Sequence, residues 1–148
     1  MGNRAFIAIN DSPEAGLYLQ WNGGPESVYA FTDAALQLGC FALSGLVFLA
    51  RAFFGLNQKH AYVEGYADPD TAANFADDNG LYLLPVNPQG EAWTADRWLV
   101  PAYGEPAAQM TPERAAEEAA EARATPHYAE MRAELVRLVG ALEAARAA

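Results

Sequence analysis

The hydrophobic and polar positions of this chain fall into two periods, and the switches between them predict its elements. A short apolar run from Arg4 to Ile9 is followed by the turn-forming cluster Asn10-Asp11-Ser12-Pro13-Glu14-Ala15-Gly16 and a second run from Leu17 to Trp21. Two strand-forming runs around such a turn read as a β-hairpin. From Pro25 to about Leu38 the period becomes helical. Val28, Phe31, Ala35 and Leu38 fall on one face, and Glu26 and Asp33 lie off it. Cys40 to Leu56 is the most apolar stretch, without charge until Arg51. A run of this length is shorter than the ~20 residues of a membrane span, so it reads as a buried helix at the centre of the core. Ala61–Tyr66, Leu81–Val86 and Trp93–Val100 read as strands, the last two joined by the turn residues Asn87-Pro88-Gln89-Gly90. Asp68 to Gly80 reads as an acidic loop or short helix, and Pro101 to Met110 as a surface linker.

The last quarter is helical. Thr111-Pro112 and Thr125-Pro126 each supply an N-cap followed by proline at the first helical position. The helix after Pro112 is mostly Ala, Glu and Arg, and buries at most a seam of small residues. The helix after Pro126 carries Tyr128, Met131, Leu135, Leu138 and Leu142, spaced 3, 4, 3 and 4. That is the spacing of a coiled-coil seam, and it predicts either packing on the chain's own sheet or self-association. The fold class expected is α+β: a mostly antiparallel sheet packed on a buried apolar helix, with a core over residues 1–110 and a helical extension over 111–148 in the same globular unit.

The composition, 52% hydrophobic and 19% charged, belongs to a globular chain. At 148 residues it can bury a core without a metal or disulfide, and the single cysteine, Cys40, cannot form an internal one. The opening residues lack the layout of a signal peptide, and a cytoplasmic location is expected. The net charge of −10 is uneven. Residues 1–60 contribute −1, residues 61–110 contribute −7 and residues 111–148 contribute −2. Such a surface repels phosphate backbones, which argues against direct nucleic-acid binding. It either keeps the chain soluble or attracts a basic partner, including a protein that itself handles nucleic acid.

Three places carry candidate chemistry. The turn Asn22-Gly23-Gly24, between a strand and a helix start, could cradle an anion with its backbone N–H groups, with Ser27 adding a hydroxyl. Its spacing is similar to the Ser-Gly-Gly-x-Asp-Ser loop of the ATP-pyrophosphatases. Here Asn22 stands for the first serine and Glu26 for the aspartate, and Pro25 removes a donor. An enzyme built there would bring Arg4, Lys59 or His60 to a cleft at the glycines. The acidic segment with Asp68, Asp70, Asp77 and Asp78 lacks the frame of a calcium loop, and no metal or other cofactor is expected. Together with Glu64 and the strand aromatics Trp93 and Trp98, these carboxylates are the expected partner-binding residues. His60 and His127 lie far apart, and Cys40 is expected inside the apolar run, so neither a zinc site nor a Cys–His pair is expected.

Met1-Gly2-Asn3-Arg4-Ala5, then Leu17-Tyr18-Leu19-Gln20-Trp21-Asn22-Gly23-Gly24 with Ser27-Val28 and Ala30-Phe31, resembles a family of small bacterial and phage proteins without assigned function. Asp78-Asn79-Gly80-Leu81-Tyr82 resembles a further segment of that family. Where the family is expected to place a basic–acidic pair after the glycines, this chain has Pro25-Glu26. The resemblance implies a small α+β domain, often associated with mobile elements, and no activity. The leading expectation is an acidic interaction module that binds another protein, for instance as a phage counter-defence factor of the anti-CRISPR kind. The alternatives are a nucleotide- or phosphate-binding enzyme at the glycine turn and a structural subunit that self-associates through its last helix as a homodimer.

Overall fold

A computed structural model describes residues 3–9, 15–55, 60–66, 68–88, 90–102 and 106–147. Six strands and five helices follow in the order β1 (Ala5–Ile9), β2 (Ala15–Leu19), α1 (Pro25–Gln37), α2 (Leu43–Phe54), β3 (Ala61–Gly65), α3 (Pro69–Phe75), β4 (Leu81–Leu84), β5 (Arg97–Val100), β6 (Ala108–Gln109), α4 (Pro112–Arg123) and α5 (Pro126–Ala147). The strands form one sheet in the order β3-β2-β1-β4-β5-β6. Every neighbouring pair is antiparallel except β1 and β4, which run parallel. The fold is therefore α+β with a mostly antiparallel sheet.

Strand alternation gives the sheet two apolar faces. On one, Ala5, Ile7, Leu17, Leu19, Tyr82 and Leu84 belong to a buried cluster that also takes in residues of α1, α2, α4 and α5. On the other, Phe6, Ala8, Tyr18, Leu81, Leu83 and Leu99 meet α3, a single short helix that packs through Ala72 and Ala73. The helix at the centre is α1, with nine buried residues from Ser27 to Ala35. The apolar run over 40–55 takes a different place. It starts in the link after α1, where Gly39 has a φ of +73°, and Cys40 is exposed there rather than buried. Helix α2 then buries Gly45, Leu46, Leu49 and Ala50 and leaves Phe48 half exposed. Absence of charge marked the run, but only one face of a peripheral helix finds a partner.

Two strands are shorter than expected. Trp93 lies in the connection before β5, not in it, and β4 ends at Leu84. Of the first expected turn, Asn10 to Gly16, residues 10–14 lie outside the described residues, while Ala15 and Gly16 belong to β2, which ends at Leu19 rather than Trp21. Helices α4 and α5 pack against α1, and Ala119, Ala122, Tyr128, Met131, Leu135 and Val139 belong to the same buried cluster as the sheet. The C-terminal helices thus complete the core. Among the described residues no helix is long and apolar enough to cross a membrane.

Candidate functional site

The glycine turn is built by close approach of two backbones. Gly23 N–H donates to the Asn3 carbonyl at 2.7 Å, and the Gly23 carbonyl accepts from the buried Tyr82 hydroxyl at 3.0 Å. A Cβ on Gly23 would stand 2.7 Å from Ala5 Cβ, and closer still to the Asn3 oxygen. Asn22 adopts a φ of +60°, a left-handed conformation that asparagine tolerates better than most residues. Gly24 is the N-cap of α1. The structure brings Asn22, Gly23, Gly24 and Ser27 together, and the Gly23 N–H and the Ser27 hydroxyl that a phosphate would use are engaged. Ser27 is buried, and its Oγ shares a 2.8 Å hydrogen bond with His127 Nε2 and accepts from Asn22 Nδ2 at 3.4 Å. The Glu26 carboxylate folds back over Gly24, which sets a negative charge at the mouth of the turn. Of the cations expected to converge there, Arg4 pairs with Asp77 and Asp78, His60 packs edge-on against Phe54, and Lys59 lies outside the described residues. The turn serves the fold: it ties the end of β2 to β4 and to the start of α1.

Beside it lies a buried polar hub that sequence reasoning missed, because Asp33 falls off the apolar stripe of α1. Asp33 is 1% exposed. Its carboxylate accepts from Arg123 Nε at 2.8 Å and Nη2 at 3.0 Å, from the Tyr128 hydroxyl at 2.6 Å and from the Trp93 amide at 2.9 Å. One carboxylate therefore joins α1, α4, α5 and the link before β5. The Arg123 guanidinium also lies 4.6 Å over the Tyr29 ring, and burial pushes the Tyr29 phenol up to about 12. The hub accounts for Trp93, expected on a partner-binding surface: it is fully buried, held by Asp33 and by its own indole N–H to the Pro85 carbonyl. Trp98 is also buried, stacked on Tyr82 with its indole N–H on the Asn79 carbonyl. Neither indole is presented to a partner.

The acidic residues play three parts. Asp77 and Asp78 clasp Arg4: Nη2 to Asp77 at 3.0 Å, and both Nε and the Arg4 amide to Asp78. Glu64 and Asp70 are exposed and make no ion pair among the described residues. Asp68 caps α3, accepting from the Thr71 amide and hydroxyl, and these bonds hold its carboxyl below the usual range. Around them the β2–β3 end of the α3 face is covered by rings. Phe6, Tyr18, Tyr62, Tyr66 and Phe75 form a contiguous cluster with centroids 4.9–5.5 Å apart. Tyr62 and Tyr66 are half-buried, and Phe75 is 48% exposed. Burial, then the Glu64 charge, pushes the Tyr66 phenol up to about 12, so the rings stay neutral.

This cluster borders the edge of the sheet. The Gln20 amide donates to the His60 carbonyl, which makes Gln20 and His60 a hydrogen-bonded pair. Alternation from there points the backbone groups of Tyr62 and Glu64 toward β2, and those of Ala61, Val63 and Gly65 outward.

The stripe on α5 is split. Tyr128, Met131 and Leu135 are buried against the protein's own core, which closes them to a second copy. The buried line continues through Val139, while Leu138 is half-buried and Leu142 is 50% exposed. A straight helix drifts off a 3.5-residue repeat, and the seam rotates away from α1. Leu138 and Leu142 instead line a shallow groove with Phe48 and Ala52 of α2. Among the described residues no group of three or more His, Cys, Asp or Glu side chains is arranged to hold a metal ion.

No protein-family model matches the chain, and neither a curated protein nor a solved structure matches it significantly.

Proposed function

We propose that the chain is a protein-binding module whose docking surface is the β3 edge with the rings and carboxylates beside it. The observation that carries this reading is the cluster of Tyr62, Tyr66 and Phe75, partly exposed at an outermost strand, with Glu64 acting on both tyrosines and Asp70 exposed on α3, carboxylates that make no ion pair among the described residues. An outer strand offers unpaired N–H and C=O groups to an extended segment, and main-chain pairing of that kind supplies affinity while side chains supply selection. Carboxylates next to ring faces favour Lys and Arg, through ion pairing and cation–π contact. The partner that suits this surface is therefore a basic segment in extended conformation. Proteins that handle nucleic acid carry such segments. A counter-defence factor of the anti-CRISPR kind, in keeping with the mobile-element resemblance, would occupy the basic surface its target needs for nucleic acid.

The test compares two charge reversals of equal size. Glu64→Lys with Asp70→Lys alters the proposed surface. Glu113→Lys with Glu121→Lys alters exposed carboxylates on α4. With each purified chain as bait in lysate of the native host, the first pair should reduce capture of a basic partner about tenfold or more, and the second should leave it within about twofold. Capture that survives the first pair, or that both pairs reduce alike, would refute the reading.

A further inference from the structure

We propose that Arg132 anchors a binding site for a small organic carboxylate in the hollow between α1 and the first three turns of α5. The hollow has a volume of about 560 Å³ and is lined by Gln37, Ala129, Arg132, Ala133, Val136 and Arg137, with Tyr128 at its inner end. A second hollow of about 480 Å³ meets it at Gln37 and Arg132. Arg132 is the shared wall.

Three observations give this arginine a ligand-binding role. The first is that it has no counter-ion among the described residues. The ion pairs of the described residues engage Arg4, Arg114, Arg123 and Arg137, not Arg132. In a chain with a net charge of −10, a half-buried cation left without a carboxylate stands out.

The second is that it is held in place. Arg132 Nη1 donates to the Tyr128 hydroxyl at 2.9 Å, and Nε donates to Gln37 Oε1 at 3.3 Å. Tyr128 in turn donates to Asp33 at 2.6 Å, and Asp33 is fixed by both donors of Arg123. The guanidinium is thus the outer end of a relay that begins in the core. A guanidinium carries five N–H donors, and three of them remain for a ligand. Holding a fork in advance removes part of the entropy that binding would otherwise cost. A carboxylate is the acceptor that matches the fork with two parallel bonds.

The third is the rest of the wall. Ala129, Ala133 and Val136 give the hollow an apolar side, which suits a ligand with a hydrocarbon body. Arg137 adds a second cation, already bridged to Glu134 at 2.9 and 2.6 Å, so the net local charge stays positive. Glu91 lines the far hollow and closes that end to anions, which directs the carboxylate into the first.

The probe is benzoate, titrated into the ¹⁵N-labelled full-length chain at constant ionic strength, with the arginine Nε–Hε signals as readout. The Arg132 signal should move and saturate in the millimolar range, while Arg114 on α4 stays still. Arg132→Gln, followed through the Nε–Hε signal of Arg137 on the same wall, should weaken binding about tenfold or more, as expected for a lost charged hydrogen bond. Ala133→Glu changes an exposed position and keeps Arg132, so it leaves the fold intact and should abolish the shift by filling the mouth with charge. Acetate, which lacks the apolar body, should bind at least severalfold more weakly. Failure of the wild-type signal to saturate, equal movement of Arg114, or unchanged affinity in Ala133→Glu would each overturn the site. Inorganic phosphate binding as tightly as benzoate would overturn the ligand class.

Discussion

Two side chains and one missing side chain decide much of this fold. At Gly23 the absent Cβ lets the chain after β2 press against Asn3 and Ala5. Gly23→Ala should cost about 2–3 kcal/mol in chemical denaturation, because backbone rather than a flexible side chain must give way. Gly24→Ala should cost only about 0.5 kcal/mol, since the nearest obstacle is the movable end of Glu26 and the lost feature is a glycine N-cap. If both cost the same, the close approach at Gly23 is not what the glycine is for. The hub at Asp33 is the second determinant. Asp33→Ala leaves the Arg123 guanidinium, 22% exposed, without its carboxylate and should cost about 3–5 kcal/mol. Adding Arg123→Met should recover part of that loss, and a double-mutant cycle measures how much. The hydrophobic pattern gave no sign of Asp33, because periodicity reports which positions avoid water. It does not report which polar groups find partners inside.

At the scale of elements, helices α1, α4 and α5 and strands β1 and β2 were legible because caps, prolines and alternation agree within each segment. Helix α2 was legible as a helix and illegible in position, since an uncharged run fits the centre and the flank equally well. Trp93 was misplaced for a related reason: bulk and aromaticity mark burial, but a loop anchored by one carboxylate buries a ring as well as a strand does. The clasp between Arg4 and Asp77-Asp78 fastens the start of β1 to the end of the α3 segment, across 74 residues. Burial alone would raise the Asp78 carboxyl, yet the Arg4 amide and guanidinium hold it below its usual value. Its contribution is present above the unfolded carboxylate range of about 4, and is lost as pH falls through the lower folded value. Asp78→Asn should therefore lower stability at neutral pH by no more than about 1 kcal/mol, since the pair is a third exposed. Thermal melts at falling pH should bring variant and wild type together. A gap that widens on acidification would mean that the clasp is not what shifts the group.

For the whole molecule, the charge map and the ring cluster point to the same side. The middle third carries −7 of the net −10, and the sequence alone put Glu64, Asp68 and Asp70 in it. What the sequence withheld was the company they keep. Alternation marked Tyr62 and Tyr66 as strand aromatics, but Phe75 belongs to a seven-residue helix, and only the tertiary fold sets it against Tyr18 and Tyr66. The outward direction of Val63 likewise depends on the pairing of β3 with β2. The proposed function stands or falls on whether a basic, extended segment docks on this side. The most direct measurement is an amide shift map of the ¹⁵N-labelled chain titrated with a strand-forming peptide of alternating lysine and valine. Shifts should concentrate on Ala61 to Tyr66 and on α3, and they should fade as salt is raised. Shifts spread evenly over these residues and the equally acidic α4, or confined to α4, would contradict the proposed function.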